Sequence, residues 1–319
     1  MITDCNIVNI ESNNNLDNLL KKAFFIDIET TGLSKIYSDI ISITAMLYEN
    51  GCYKIHQVFC EYKMDELEAL KYLKDLINQK KYVITYNGNS FDIPFLAYKF
   101  QKHCINFDFD SFVKIDLYNW LRHLKNKIQI ENLKLKSVEE YFNIKRNDCI
   151  SGKDVAVLYK AYKIDPRKEF SYLIMRHNYE DVFNLPKLLN SILDLYDDVL
   201  YYNGLIVKIN SKDFNIKKNN LYCKFGIISD RMTDYVYPGI NFNLNMNSAA
   251  QTMELNILLS FFKDDKISEF YFVNNNEYKV KTYTAIEGIK KNLIPVKFNS
   301  KIFYNNIINI LKKIMNSIF

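Results

Sequence analysis

Over the first 200 residues, apolar positions fall into short alternating runs separated by stretches of helical period. The runs predict strands at 23–28, 39–48, 52–62, 82–86 and 112–117, each bounded by Gly, Asn or Asp. Asn50-Gly51, between the second and third, is a strong signal for a tight hairpin. Helical spacing predicts helices at 65–78, 91–103 and 135–142, and a long one at about 167–194. Asp165 is placed to cap the long helix, and Pro166 to occupy its first position. Clusters such as Asn13–Asn15 and Asn274–Asn276 read as loops. A hairpin followed by strands that alternate with helices predicts an α/β fold built on a mixed five-stranded sheet flanked by helices.

The pattern changes near Tyr202-Asn203-Gly204. Beyond it lie the alternating segments "LIVKI", "YVYPGINFNLNMN", "EFYFV" and "YKVKTYT", closed by a helical pattern over 303–319. The chain therefore divides into a domain at 1–200 and a smaller accessory α+β domain at 201–319. Charge divides with it. Residues 1–200 carry 26 Lys and Arg against 28 Asp and Glu, while 201–319 carry 16 against 9, so the net +5 splits into −2 and +7. A basic second half beside an acidic first half fits a polyanionic partner, although ordinary solubilising charge produces the same numbers.

Of the 319 residues 48% are hydrophobic and 15% aromatic, ample material for buried cores. No apolar run approaches the roughly 18 residues of a membrane span, and the polar N-terminus lacks the pattern of a signal peptide. The chain is therefore expected to be soluble and cytoplasmic, with no membrane partner, and the six cysteines, with no Cys-x-x-Cys pair, predict a reduced protein without a zinc site.

Candidate chemistry begins at "FFIDIETTGL", residues 24–33. Asp27 and Glu29 are two apart on a strand, so both side chains leave from one face. Two like charges about 6–7 Å apart beside an apolar sheet are costly unless a cation lies between them. A solvated edge strand would also tolerate them, but "AFFI" before them reads as central. In "YVITYNGNSFDIPFL" a third acid, Asp92, enters the first turn of a helix after a strand, with Ser90 available as cap. There it favours the helix dipole whether or not it has another role. In "RHNYEDVFNL", His177 and Asp181 are one turn apart on a single helix face.

Taken in order, these stretches resemble the DEDD superfamily of 3′-5′ exonucleases, which have the ribonuclease H-like fold. The similarity is closest to the YprB-like ribonuclease H-like domain family. It is carried by "DIETTGL", "YNGNSFDIPFL", "DLYNWLR", "LKSVEEYFNIKR", "DCISG" and "HNYEDVFNL", together spanning roughly residues 24–190. The resemblance implies that Asp27, Glu29, Asp92 and Asp181 bind two divalent cations and that His177 acts as general base. The histidine departs from the superfamily pattern. In the His-type branch it stands five residues before the last Asp, a position held here by Arg176, and in the Tyr-type branch a tyrosine stands four before, where this chain has His177.

Hard carboxylate ligands favour Mg²⁺ or Mn²⁺. By the same resemblance Thr30, Leu33 and Asn87 hold the nucleotide at the 3′ end of a DNA or RNA partner. Two other readings share parts of the pattern: a nucleic-acid-binding module with an inactive nuclease fold, and a ribonuclease H-type endonuclease.

Overall fold

In the computed structural model, which describes residues 1–11, 13–202, 204–229, 234–263, 268–284, 286 and 289–319, the unit Met1–Leu195 is built on a six-stranded sheet. Its strands are β1 (Ile2–Val8), β2 (Ala23–Thr30), β3 (Ile40–Glu49), β4 (Cys52–Phe59), β5 (Tyr82–Thr85) and β6 (Val113–Asp116), in the spatial order β1-β4-β3-β2-β5-β6. The first four are antiparallel neighbours, and β5 and β6 add in parallel beside β2. The five predicted strands are all present. The sixth, β1, corrects the expected count: its exposed, polar sequence carries little apolar alternation, and it is held by backbone pairing along the edge of β4. Asn50 and Gly51 both have positive φ (51° and 87°), the geometry of the predicted hairpin turn between β3 and β4.

Helices cover both faces of this sheet. The first are α1 (Asp17–Lys21), α2 (Asp65–Ile77), α3 (Asp92–Lys102), α4 (Leu117–His123) and α5 (Leu135–Tyr141). They are followed by α6 (Gly152–Ile164), α7 (Lys168–Phe183) and α8 (Leu185–Leu193). The even residues Phe24, Ile26 and Ile28 of β2 pack with Leu70, Leu73 and Ile77 of α2 and with Ile93, Leu96 and Phe100 of α3. On the opposite face Ile41 and Phe59 pack with Val155, Tyr159 and Tyr162 of α6 and Ile174 of α7. Period-two alternation thus directs Asp27 and Glu29 away from the α2–α3 core, toward α7.

Four local expectations are corrected. The single helix at 167–194 is two helices, α7 and α8, separated at Asn184 with Pro186 in the first turn of α8. Asp165 ends α6 rather than capping the next helix, and Arg167 is the residue before α7. Ser90 does not cap α3, since the residue there is Phe91, with no side-chain cap. The Asn clusters are caps more than loops: Asn13 accepts from Asn15 N at 3.0 Å at the start of a 3₁₀ turn.

The unit Tyr196–Phe319 has its own core. Strands β7 (Asp198–Tyr202), β8 (Leu205–Ile209), β9 (Phe214–Lys217), β10 (Asn220–Ser229), β11 (Tyr235–Pro238), β12 (Phe242–Asn247) and β13 (Thr252–Leu258) form a seven-stranded antiparallel sheet. A four-stranded sheet follows, of β14 (Ser260–Lys263), β15 (Glu269–Asn274), β16 (Leu293–Phe298) and β17 (Lys301–Ile302). Asn274 caps the short α9 (Asn275–Tyr278), and the amphipathic α10 (Tyr304–Ile318) buries Ile307, Ile310, Leu311 and Ile314 in the core. "YKVKTYT" is not a strand, because α9 takes its first residue and no strand is assigned over the rest. Of the tripeptide read as a boundary, Asn203 lies outside the described residues.

Candidate active site

β2 is longer than its parallel partner. Pairing with β5 ends at Phe25–Ile84, which leaves the Ile28 N–H facing the loop after β5. Asp92 fills that gap: its Oδ1 accepts from Ile28 N at 3.0 Å, which fixes the first turn of α3 against the end of β2. The intervening loop is held by Asp116 at the end of β6, which accepts from Asn87 N at 2.9 Å and Asn89 N at 3.1 Å and also caps α4. Gly88 has no substitute in this loop, since a Cβ there would lie 2.4 Å from the Thr85 Cβ.

From the other side, α7 presents Ile174, His177, Asn178 and Asp181 at the spacing of one helix face. In an ordinary packed helix this stripe would be apolar. Here Asn178 is fully buried and donates to Asp27 Oδ2 at 2.7 Å, while its own oxygen accepts from Ser42 Oγ at 2.5 Å and Thr44 Oγ1 at 2.6 Å on β3. Gln57 of β4 extends the chain, donating to Thr44 Oγ1 at 3.0 Å and to the Met175 carbonyl at 2.8 Å. Every buried polar group in this seam has a partner, which fixes the register of α7 over the sheet.

His177 is likewise buried. Its Nδ1 lies 2.6 Å from Asp148 Oδ2, and its Nε2 lies 3.4 Å from Glu29 Oε1 and 3.8 Å from Asp181 Oδ2. One ligand atom from each of Glu29, His177 and Asp181 fits within a span of 4.8 Å. Arg146 binds Asp148 through Nε and Glu139 through Nη1, each at 2.7 Å, and its Nη2 pairs with Asp181. Lys136 adds a bond to Asp148 at 2.7 Å. Burial opposes ionisation of Asp148, yet Arg146, Lys136 and His177 hold its carboxyl below the ordinary range.

The remaining acids are pushed the other way. Burial, then the charges of Asp92, Asp181 and Glu29, raise Asp27 well above the usual carboxylate range. Burial, then Asp181 and Asp92, do the same to Glu29. Asp92 is pushed up to about 7, chiefly by burial. Arg146 divides its one charge among Glu139, Asp148 and Asp181, which leaves Asp27, Glu29 and Asp92 crowded together with little to favour their charged forms. Hard oxygen donors in that state fit divalent cations of the Mg²⁺ class.

The structure therefore brings Asp27, Glu29, Asp92, His177 and Asp181 to one end of the sheet. The other three predicted residues make local contacts. Thr30 Oγ1 donates to Gly32 O at 2.8 Å, Asn87 is tied by its backbone to Asp116, and Leu33 is 87% exposed on the loop after β2. Arg176, at the His-type position, pairs with Glu180 at 2.5 Å and lies over the Tyr179 ring. Arg146, Asp148 and Asn178 had no predicted role. Arg146 and Asp148 stand within the stretches "NIKR" and "DCISG", and their signal in the chain is a close pair of opposite charges in a segment without regular structure.

A six-stranded mixed sheet with helices on both faces and acids at one end of its central strand defines a ribonuclease H-like α/β protein. The chain belongs to the RNase_H superfamily, whose RNase_H_2 family model matches residues 24–193. No curated protein matches it. Among solved structures it is similar to the family B DNA polymerase from the hyperthermophilic archaeon Pyrobaculum calidifontis, at 17% identity and TM-score 0.44 over 54% of this chain and 24% of that one. It thus spans about a quarter of the polymerase's length. Brucella melitensis NrnC bound to pGG is similar at 17% identity and TM-score 0.36, over 57% of this chain and 77% of that one. Exonuclease I from the moderately thermophilic Methylocaldum szegediense is similar at 10% identity and TM-score 0.32, over 91% and 68%. With these three TM-scores below 0.5, the fold assignment stands on the superfamily match and the sheet itself. Among the described residues no helix is long and apolar enough to cross a membrane.

Proposed function

We propose that the chain is a metal-dependent 3′-5′ exonuclease of the DEDD type, close to the YprB-like family, that hydrolyses phosphodiester bonds of nucleic acid in the cytoplasm. The observation that supports this most is the group of Asp27, Glu29, Asp92 and Asp181. Burial and neighbouring charge disfavour ionisation of the first three, an arrangement with no benefit to an empty fold. These four would hold two cations, Mg²⁺ or Mn²⁺, which when bound stabilise charge on the reacting phosphate and its leaving 3′ oxygen. His177 donates from Nδ1 to Asp148 and so turns Nε2 toward Glu29 and Asp181, where it takes the proton of the attacking water. Thr30, Leu33 and Asn87 hold the terminal nucleotide. The exposed Leu33 is available to meet a base.

A 5′-labelled oligonucleotide incubated with Mn²⁺ tests this reading. A ladder of shortened products is expected, and Asp27→Asn should abolish it. Internal cuts would instead mean an endonuclease, and an intact band of retarded mobility would mean a binding module. Matched DNA and RNA oligonucleotides identify the substrate.

For residues 201–319 the reading is binding rather than chemistry, on the strength of the +7 charge there. Cutting the chain after Leu195, where the two units divide, should raise KM for long substrates and spare short ones. An equal salt dependence of affinity in the full-length and cut proteins would reject that role.

A further inference from the structure

A second cluster of metal-ligating side chains lies on the hairpin side of the sheet, outside the carboxylate centre. Cys5 of β1 is paired directly opposite His56 of β4, so the two side chains leave from the same face. The Cys5 Sγ lies 3.8 Å from His56 Nε2, and Glu49, the last residue of β3, brings Oε1 to 3.1 Å from the same nitrogen. One ligand atom from each of the three fits within a span of 4.8 Å. Tetrahedral zinc, with bonds of about 2.3 Å to sulfur and about 2.0 Å to nitrogen and oxygen, places those edges at about 3.5 Å and 3.3 Å. The observed separations differ from these by a few tenths of an ångström.

The imidazole is oriented for this use. His56 is buried, and its Nδ1 lies 2.7 Å from the Tyr72 hydroxyl of α2, which holds the ring and leaves Nε2 facing Cys5 and Glu49. Metal-binding histidines are fixed in the same way, through the nitrogen that does not bind the ion. Hydrogen bonding alone accounts for Glu49 and Tyr72 around a core histidine. The Cys5 thiol, at the long end of hydrogen-bond reach of the same nitrogen, adds a third donor from a neighbouring strand at one focus, as a metal ion requires.

We propose that Cys5, Glu49 and His56 form a zinc site, with solvent in the fourth position, that fastens the edge strand β1 to the β3–β4 hairpin. Binding releases the thiol proton of Cys5 to solvent, His56 binds through Nε2 as the neutral imidazole with its one ring proton on Nδ1 facing Tyr72, and no electron moves. Lys54, whose Nζ lies 3.0 Å from Glu49 Oε1, offsets part of the negative charge of the thiolate and carboxylate. Cysteine spacing along the chain indicated no zinc site, because it counts only neighbours in sequence. The β1–β4 register joins residues 51 positions apart.

Cobalt(II) added to the chelator-stripped, full-length protein tests the site, because the carboxylate centre contains no sulfur. A thiolate-to-cobalt charge-transfer band is expected, saturating at one ion per chain and displaced by Zn²⁺. Cys5→Ser should remove it, Glu49→Gln should weaken cobalt affinity at least about tenfold, and Asp27→Asn should leave it unchanged. Circular dichroism checks that both cluster variants fold, and if Cys5→Ser does not, Glu49→Gln decides. The absence of a band in the wild-type protein would overturn the proposal. So would a band undiminished in Cys5→Ser, which one of the five other cysteines would then supply, or full cobalt affinity in Glu49→Gln.

Discussion

Asp148→Asn separates what this network does for folding from what it does for His177. The Asp148 side chain is 2% exposed and meets three donors, Arg146 Nε at 2.7 Å, Lys136 Nζ at 2.7 Å and His177 Nδ1 at 2.6 Å. An amide of the same shape keeps one oxygen acceptor but turns an NH₂ group toward donors and removes the negative charge. Breaking a buried ion pair by removing one partner costs about 3–5 kcal/mol. Arg146 retains Glu139 and Asp181, and Asn retains an acceptor, so the lower end, about 3 kcal/mol, is expected. The second effect is on the ring: Arg146 uses one carboxylate oxygen and Lys136 and His177 share the other, so an amide whose oxygen stays with Arg146 turns its NH₂ toward Nδ1–H, and Nε2 is no longer fixed toward Glu29 and Asp181. Loss of a positioned proton acceptor lowers kcat about 10²–10⁴-fold. Denaturant titration measures the first effect, and single-turnover cleavage of a 5′-labelled oligonucleotide, at a temperature where the variant is folded, measures the second. KM should change little, since no residue assigned to the nucleotide is altered. A variant destabilised as expected but with wild-type kcat would refute the coupling of Asp148 to His177 and leave it a structural residue.

Two further outcomes follow from single positions. Lys208 is buried in β8, and burial lowers its ammonium from the ordinary 10.5 to about 7, so between those values the unfolded chain binds a proton that the fold excludes. Stability should therefore rise with pH across that window by about 1.4 kcal/mol per unit from this residue, and the difference between wild type and Lys208→Met in denaturant titrations from pH 7 to 10 should follow it. A pH-independent difference would contradict the burial argument. Gly88→Ala places a methyl 2.4 Å from the Thr85 Cβ, so the loop that carries Asn87 and leads into Asp92 must move. A loss of about 1–3 kcal/mol in stability, with reduced cleavage, is expected, and an unperturbed, fully active variant would show that the loop yields freely.

Local order in the sheet was legible from the chain because its cause is local. Period-two alternation places Asp27 and Glu29 on one face wherever the strand lies, Asn50-Gly51 permits the positive φ values of a tight hairpin, and one helical turn aligns His177 with Asp181. None of these depends on the rest of the fold.

What surrounds the acids does depend on it. Arg146 meets Asp181 across 35 positions, Asp148 meets His177 across 29, and Asn178 meets Asp27 across 151. The α7 face that carries His177, Asn178 and Asp181 looks polar in the sequence and becomes buried only because Ser42, Thr44 and Gln57 satisfy it from two other strands. Likewise β1 has no apolar pattern of its own, and its place beside β4 comes from backbone hydrogen bonds to which its side chains contribute little. The sequence by itself determined the faces and turns, through backbone sterics and hydrophobic period. Which polar groups meet was decided by the order of strands in the sheet, since a buried charge is tolerated only where the assembled fold brings it a partner.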